Sequence, residues 1–197
     1  MKSRIILVTP IYVLLVLFFA SASYSRNTVN LANALVAETK AESAAFRSDI
    51  SSIVQVVTGT PTSLYIPRLD LTTTILDGTY NVSDRTWTLS KSNAHFALET
   101  NSLSTSESGG LSLIYGHNTK YVFEATKKLQ KGDILEVSTK EGQVFSYRFY
   151  SDEIVLPTDT SLFEYKGKPR LVIMSCTGEW NEKRRIMNFE LISTRDV

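Results

Sequence analysis

Apolar and polar residues alternate along this chain in three textures. Ile5–Ala22, IILVTPIYVLLVLFFASA, carries no charged residue. A helix of about 18 to 20 such residues crosses the hydrocarbon core of a bilayer, so a transmembrane signal-anchor helix is predicted over residues 5–24. From Asn27 to about Val57 the chain is rich in Ala, Ser and charge, with Leu31, Leu35, Ile50, Ile53 and Val54 at partly helical spacing. That thin stripe predicts a juxtamembrane helical stalk or linker over residues 25–59. TGTPTS, Thr58–Ser63, breaks it with Gly59 and Pro61 and marks a boundary.

Beyond the boundary the period is two. SLYIPRLDLTTTIL sets Leu69, Leu71, Thr73 and Ile75 on one face of a strand. TWTL, GLSLIYG, DILEVST, QVFSYRFYSDEIVLP, PRLVIMSC and RRIMNFELIS are further strand candidates, and Lys140-Glu141-Gly142-Gln143 is the turn of a hairpin. NTKYVFEATKKLQKGD supplies a helical turn, with Val122, Phe123 and Leu129 apolar and Gly132 as the stop. TNSLSTSESGG reads as a surface loop. Many short strands at regular spacing predict a mainly β domain over residues 60–197, a closed barrel or sandwich with short helices.

Charge orients this plan. Lys2 and Arg4 precede the apolar run, so residues 1–4 are expected in the cytoplasm and the β domain outside the cell, on a single-pass membrane protein. Ala20-Ser21-Ala22 resembles a signal cleavage site, but the apolar run exceeds the roughly 7 to 15 residues of a secretory core region. The net charge is +1 and no basic patch is interleaved with aromatics, which argues against a nucleic-acid partner. Two histidines and one cysteine make no zinc ligand set, and no phosphate-binding loop is present, so neither metal nor cofactor is expected.

The single cysteine changes the picture. Outside the cytoplasm thiols usually pair, and Cys176 has no partner in its own chain. It ends the run LVIMSC, while His117 follows the run SLIYG, and Arg184 and Arg185 open the last strand. Taken singly these are a buried thiol, a surface imidazole and a solvated basic pair. Taken together at strand ends they form one site, in which a thiolate attacks a carbonyl, an imidazole moves the proton and a guanidinium meets the oxyanion. A rim position suits the thiol, because deep burial would keep it protonated. Alternation places Val172, Met174 and Cys176 on one face and Leu171, Ile173 and Ser175 on the other. His95, in SNAHFAL, reads as structural or surface.

From about Leu64 to Ile192 the chain resembles the sortases, membrane-anchored cysteine transpeptidases of bacterial surfaces. LYIPRLDLTTTILDGTY, WTLS, LIYGHN, KGDILEV, YRFYSDEIVLPTD, LVIMSCTGEW and KRRIMNFEL carry the resemblance. Where the family has T-L-x-T-C, this chain has Val172-Ile173-Met174-Ser175-Cys176, and no Asp-Pro-aromatic lid motif is present. The resemblance implies an eight-stranded sortase-like β-barrel with its site in a groove. It implies cleavage of an LPxTG-like motif near the C-terminus of secreted proteins, Cys176 as the nucleophile that carries the thioacyl group, and His117 as proton donor and acceptor. The acyl group would pass to an amine of a cell-wall precursor or a pilin. Val172, Met174, Ser175 and Ile186 are the expected substrate contacts.

Arg184 and Arg185 cannot share a face of one strand. Met187, Phe189 and Leu191 form an apolar set for the interior, which leaves Arg184, Ile186, Asn188 and Glu190 for the outer, substrate-bearing surface. Arg184 is therefore the expected catalytic arginine, and Arg185 its alternative, since the family's frequent pattern of an arginine followed by two apolar residues fits it. Two other functions use the same residues: an exported cysteine hydrolase with water as acceptor, and an inactive membrane-tethered binding domain.

Overall fold

The computed structural model describes residues 33, 35–43, 55–84 and 86–197. The expected transmembrane helix over 5–24 lies outside them, and among the described residues no helix is long and apolar enough to cross a membrane. Within the expected stalk, residues 35–43 are helical and exposed. They belong to a unit ending at Gln55, and a second compact unit runs from Val56 to Val197.

Among the described residues, that second unit holds twelve strands: β1 (Thr58–Gly59), β2 (Pro61–Ile66), β3 (Leu71–Gly78), β4 (Tyr80–Asn81), β5 (Thr86–Trp87), β6 (Ala94–Ala97), β7 (Leu103–Ser104), β8 (Leu111–Gly116), β9 (Ile134–Thr139), β10 (Gln143–Val155), β11 (Arg170–Thr177) and β12 (Lys183–Asp196). Eight of them close a barrel in the order β10-β12-β11-β8-β6-β3-β2-β9. β1 pairs with β7, and β4 with β5, in two small ribbons outside it. Closure needs curvature, and β10 supplies it with register shifts against β12 at Ser146/Tyr147 and Phe149/Ser151. Most barrel pairs are antiparallel, but β11 runs parallel to β8 and β3 parallel to β6.

The barrel interior is filled by Leu64, Ile66, Leu135, Phe145, Leu171, Ile173, Met187 and Phe189, among others. A second apolar layer lies on the outer face of β8, β11 and β12, where Leu111, Leu113, Tyr115, Val172 and Ile186 pack under Trp87, Val155, Leu162 and Tyr165. β8 is consequently buried at every position. A strand covered on both faces reads as a continuous apolar run without alternation, which is the texture of LSLIYG.

Three expectations are corrected. SLYIPRLDLTTTIL is two strands: Pro67–Leu69 form a 3-10 turn, and Asp70 adopts φ 49° as it closes. Pro67 cannot donate to a ladder, so Leu69 leaves the face that Leu71, Thr73 and Ile75 share. The stretch TNSLSTSESGG is not all surface loop, because Leu103, fully buried, and Ser104 form β7. TWTL contributes only Thr86–Trp87, in a ribbon outside the barrel. The barrel position is taken by Ala94–Ala97, whose four buried residues show no alternation to announce a strand.

Candidate active site

Strand register assembles the site. In the antiparallel ladder of β11 and β12, Cys176 is the direct partner of Arg184. In the parallel ladder of β11 and β8, Ser175 is aligned with Gly116. One step further along both strands brings His117 alongside Cys176. Three residues from three neighbouring strand ends thus meet at one rim of the barrel. Cys176 is a free, half-buried thiol.

Local packing fixes the turn that bears the imidazole. The His117 carbonyl accepts the Phe123 N–H at 3.2 Å, folding 117–123 back over the strand end. A Cβ at Gly116 would lie 2.8 Å from Val122 Cγ1 and 3.0 Å from a Phe123 ring carbon, so the residue before His117 must be glycine for this turn to close.

The two arginines part as alternation requires. Arg184 shares the outer face with Cys176, and its Nη1 donates to the Asn181 and Lys183 carbonyls at 3.0 Å each. Arg185 lies on the opposite face, where Nε donates to Asp152 Oδ2 at 2.5 Å and Nη1 to the Thr126 carbonyl at 2.8 Å. Its side chain is only 15% exposed. Arg185 therefore ties β12 to β10 and to the 3-10 turn Glu124–Lys128, away from the thiol.

A cavity of about 500 Å³ opens on the outer face beside this cluster, and Met174, Ile186, Arg184 and Arg170 form part of its floor. Residues 156–163 of the β10–β11 connection form one wall, and Tyr80, Trp87 and Glu99 another. Cys176 lies two residues past Met174 on the same face of β11, and Arg170 six residues before Cys176. The floor therefore extends about 20 Å from the thiol, at about 3.3 Å per residue.

Of the expected substrate contacts, Met174 and Ile186 line this cavity, while Val172 and Ser175 do not. Val172 is fully buried beneath it, in the outer apolar layer. Ser175, 4% exposed, points to the face of β11 opposite Cys176, as alternation dictates. Asn188 lies on the outer side but is buried, and it is satisfied there: Arg170 donates to its Oδ1, and its Nδ2 donates to Ser151 Oγ at 3.3 Å. His95 is not in the cluster. It is 3% exposed, hydrogen-bonded to Ser90 Oγ at 3.0 Å and stacked on Tyr115 at 5.7 Å.

The aromatic wall was not foreseen. Trp87 packs on Tyr115 with ring centroids 4.6 Å apart, on Tyr80 at 5.0 Å and parallel to Phe163 at 6.3 Å. Glu99 joins it by accepting the Tyr80 N–H at 2.8 Å. Burial, and secondarily the charge of Glu99, push the Tyr115 phenol well above its ordinary range. Its hydroxyl is buried without a hydrogen-bond partner among the described residues.

The sequence profile of the Sortase domain matches residues 64–191. The chain belongs to the sortase family. Among solved structures, this sortase is similar to sortase A of Listeria monocytogenes at 19% identity and a TM-score of 0.55, covering 72% of this chain and 92% of that one. It is similar to sortase C of Streptococcus pneumoniae at 19% identity and a TM-score of 0.55, covering 72% of this chain and 73% of that one. Sortase E1 of Streptomyces coelicolor, solved with a tripeptide in its active site, aligns at 21% identity and a TM-score of 0.54, over 71% of this chain and 91% of that one. No curated protein matches the chain. At these identities the structural likeness speaks for the fold, and the sortase family is one of cysteine transpeptidases.

Proposed function

We infer that this sortase cleaves an LPxTG-like sorting motif in secreted proteins and joins the acyl half to an amine of the cell wall or of a pilin. The observation that carries this reading is the pairing of Cys176 with Arg184 at the mouth of a groove, with His117 on the adjoining strand end. The Cys176 thiolate attacks the carbonyl carbon of the motif's threonine. Arg184 meets the oxyanion through Nε or Nη2, its Nη1 being held by loop carbonyls. The C–N bond breaks as the His117 imidazolium gives its proton to the leaving amine, which leaves a thioester on Cys176. An incoming amine attacks the thioester, neutral His117 takes its surplus proton, and the thiolate departs.

Residues 5–24 would hold the enzyme in the cell membrane with the barrel outside, where substrates emerge. The pilin draws on the similarity to sortase C of Streptococcus pneumoniae, an enzyme with pilin substrate specificity. The test is to incubate the chain with a sorting-peptide library and a primary amine and to sequence the products. Ligated peptide and a thioacyl mass on Cys176 are expected. Hydrolysed peptide alone, unaffected by amine, would favour the hydrolase. Neither product and no adduct would leave a binding domain.

A further inference from the structure

The acyl half of a substrate stays attached through the thioester while the leaving half departs, so the cavity beside Cys176 has to hold residues on the acyl side of the cut. This much rests on the transpeptidase reading. What the aromatic wall adds is a chemical preference for one of those residues. Trp87, Tyr80 and Phe163 present ring faces and edges to the cavity, and the Glu99 carboxylate is anchored among them by the Tyr80 N–H. No ion pair neutralises Glu99 among the described residues. The two cavity arginines are already engaged, Arg170 with Asn188 and the Tyr165 ring, and Arg184 with the loop carbonyls. Rings beside an unneutralised carboxylate form a cage for a cation on an apolar stem.

Register gives its distance from the chemistry. Trp87 packs on Tyr115 with its ring tilted, Tyr115 is the ladder partner of Met174, and Met174 precedes Cys176 by two residues on the same face. The Tyr115 backbone is therefore displaced from the thiol by about 7 Å along the strand and about 4.8 Å across to the next one, and its ring runs on across the sheet to Gly78 of β3, which sets the cage farther out than the backbone. In an extended peptide acylated on Cys176, the residue one position before the acylated one, the x of the motif, is the one whose long basic stem is free to span that gap, because the motif fixes proline one position further back.

We propose that the Trp87–Tyr80–Phe163–Glu99 cage selects sorting peptides with a lysine or arginine one position before the acylated residue. The stem lies on Trp87 and the charge reaches Glu99. The preference is about tenfold over an uncharged side chain of the same length, which is the size of a cation–π contact combined with one exposed ion pair.

The experiment measures binding, so that it does not depend on turnover. The full chain carrying Cys176→Ala, in detergent micelles, is titrated by fluorescence anisotropy with labelled peptides. These are identical except for lysine, arginine, norleucine or glutamate at that position. The basic peptides should bind about tenfold more tightly than the norleucine peptide, with glutamate weakest and the preference falling as salt rises. Glu99→Gln keeps an oxygen for the Tyr80 N–H and removes the charge, and it should cut the preference to about two- or threefold. Trp87→Leu should reduce it as well, with melting curves confirming a folded domain. Equal affinity for lysine and norleucine, an undiminished preference in Glu99→Gln, or no binding of lysine peptide at millimolar concentration would each overturn the proposal. A binding preference without ligated product from the unmodified chain would support the cage and refute the transpeptidase. Ligation without a preference in binding would refute the cage alone.

Discussion

The ladder of β11 and β12 has two faces built from the same strands, and they do different work. Inward, Leu171, Ile173, Met187 and Phe189 are fully buried and close-packed in the barrel. Outward, Cys176, Met174, Arg184 and Ile186 line or adjoin an open groove. Consecutive residues therefore fall under opposite demands, and Arg184 and Arg185 show it most sharply. The first is held only by carbonyls of its own loop at the groove, whereas the second is locked to Asp152 and Thr126. Side chains on the inner face are worth stability, and on the proposed function those lining the groove on the outer face are worth turnover.

Substitutions can break this division, and the thiol is the most severe test. Cys176→Ala should abolish both peptide cleavage and amine ligation, with a melting temperature close to that of the parent, because a small rim side chain leaves no large cavity. Residual turnover measured by product mass would remove Cys176 from the chemistry. The two histidines extend the contrast. His117→Ala should lower turnover about 10²- to 10⁴-fold with little loss of stability. His95→Ala, which strips a buried ring from Ser90 and Tyr115, should cost about 1–3 kcal/mol in urea unfolding and leave the folded enzyme active.

The arginines sharpen it further. Arg184→Ala should lower turnover about 10²- to 10³-fold at saturating peptide, while Arg185→Ala should keep most activity and lose about 1–3 kcal/mol of stability. The reverse ranking would move the oxyanion role to Arg185. The smallest effect lies far from the groove, at the buried Asp133. The hydrogen bond from Arg68, joined by one from the Gln130 N–H, holds its carboxyl below the usual carboxylate range. A carboxyl depressed on folding stabilises the protein above its unfolded pKa of about 3.9, and that contribution is lost as pH falls through the depressed value. Asp133→Asn should therefore flatten the acid limb of a stability–pH curve below about pH 4, and an unchanged limb would assign the acid sensitivity to other groups.

How much of this was legible depended on whether a feature is local. The hairpin at 140–143, the long strands β10 and β12 and the outward direction of Arg184 follow from period-two alternation. Once Met187 and Phe189 go inside, Arg184 has to go outside. Strand β6 and the ribbon strand β7 escaped notice because two-sided burial or brevity erases that period. The substrate contacts were half legible. Alternation put Val172 on the right face but could not reveal that a second apolar layer buries it completely.

The sequence by itself determined the charge-free stretch at the N-terminus, the texture of a β domain, the faces of each strand and the set of groups able to do thiol chemistry. These depend on composition and on neighbours within a few residues. Only the tertiary structure decided that β8 lies parallel to β11, which brings His117 to Cys176, and that the β4–β5 ribbon turns Trp87 toward the groove. Strand partners are chosen by burying apolar faces across long loops, and loop-closure entropy grows only slowly with length. Nothing in the local pattern therefore names the partner. The residues flanking Cys176 come from distant segments, and the closing of the barrel is what makes them neighbours.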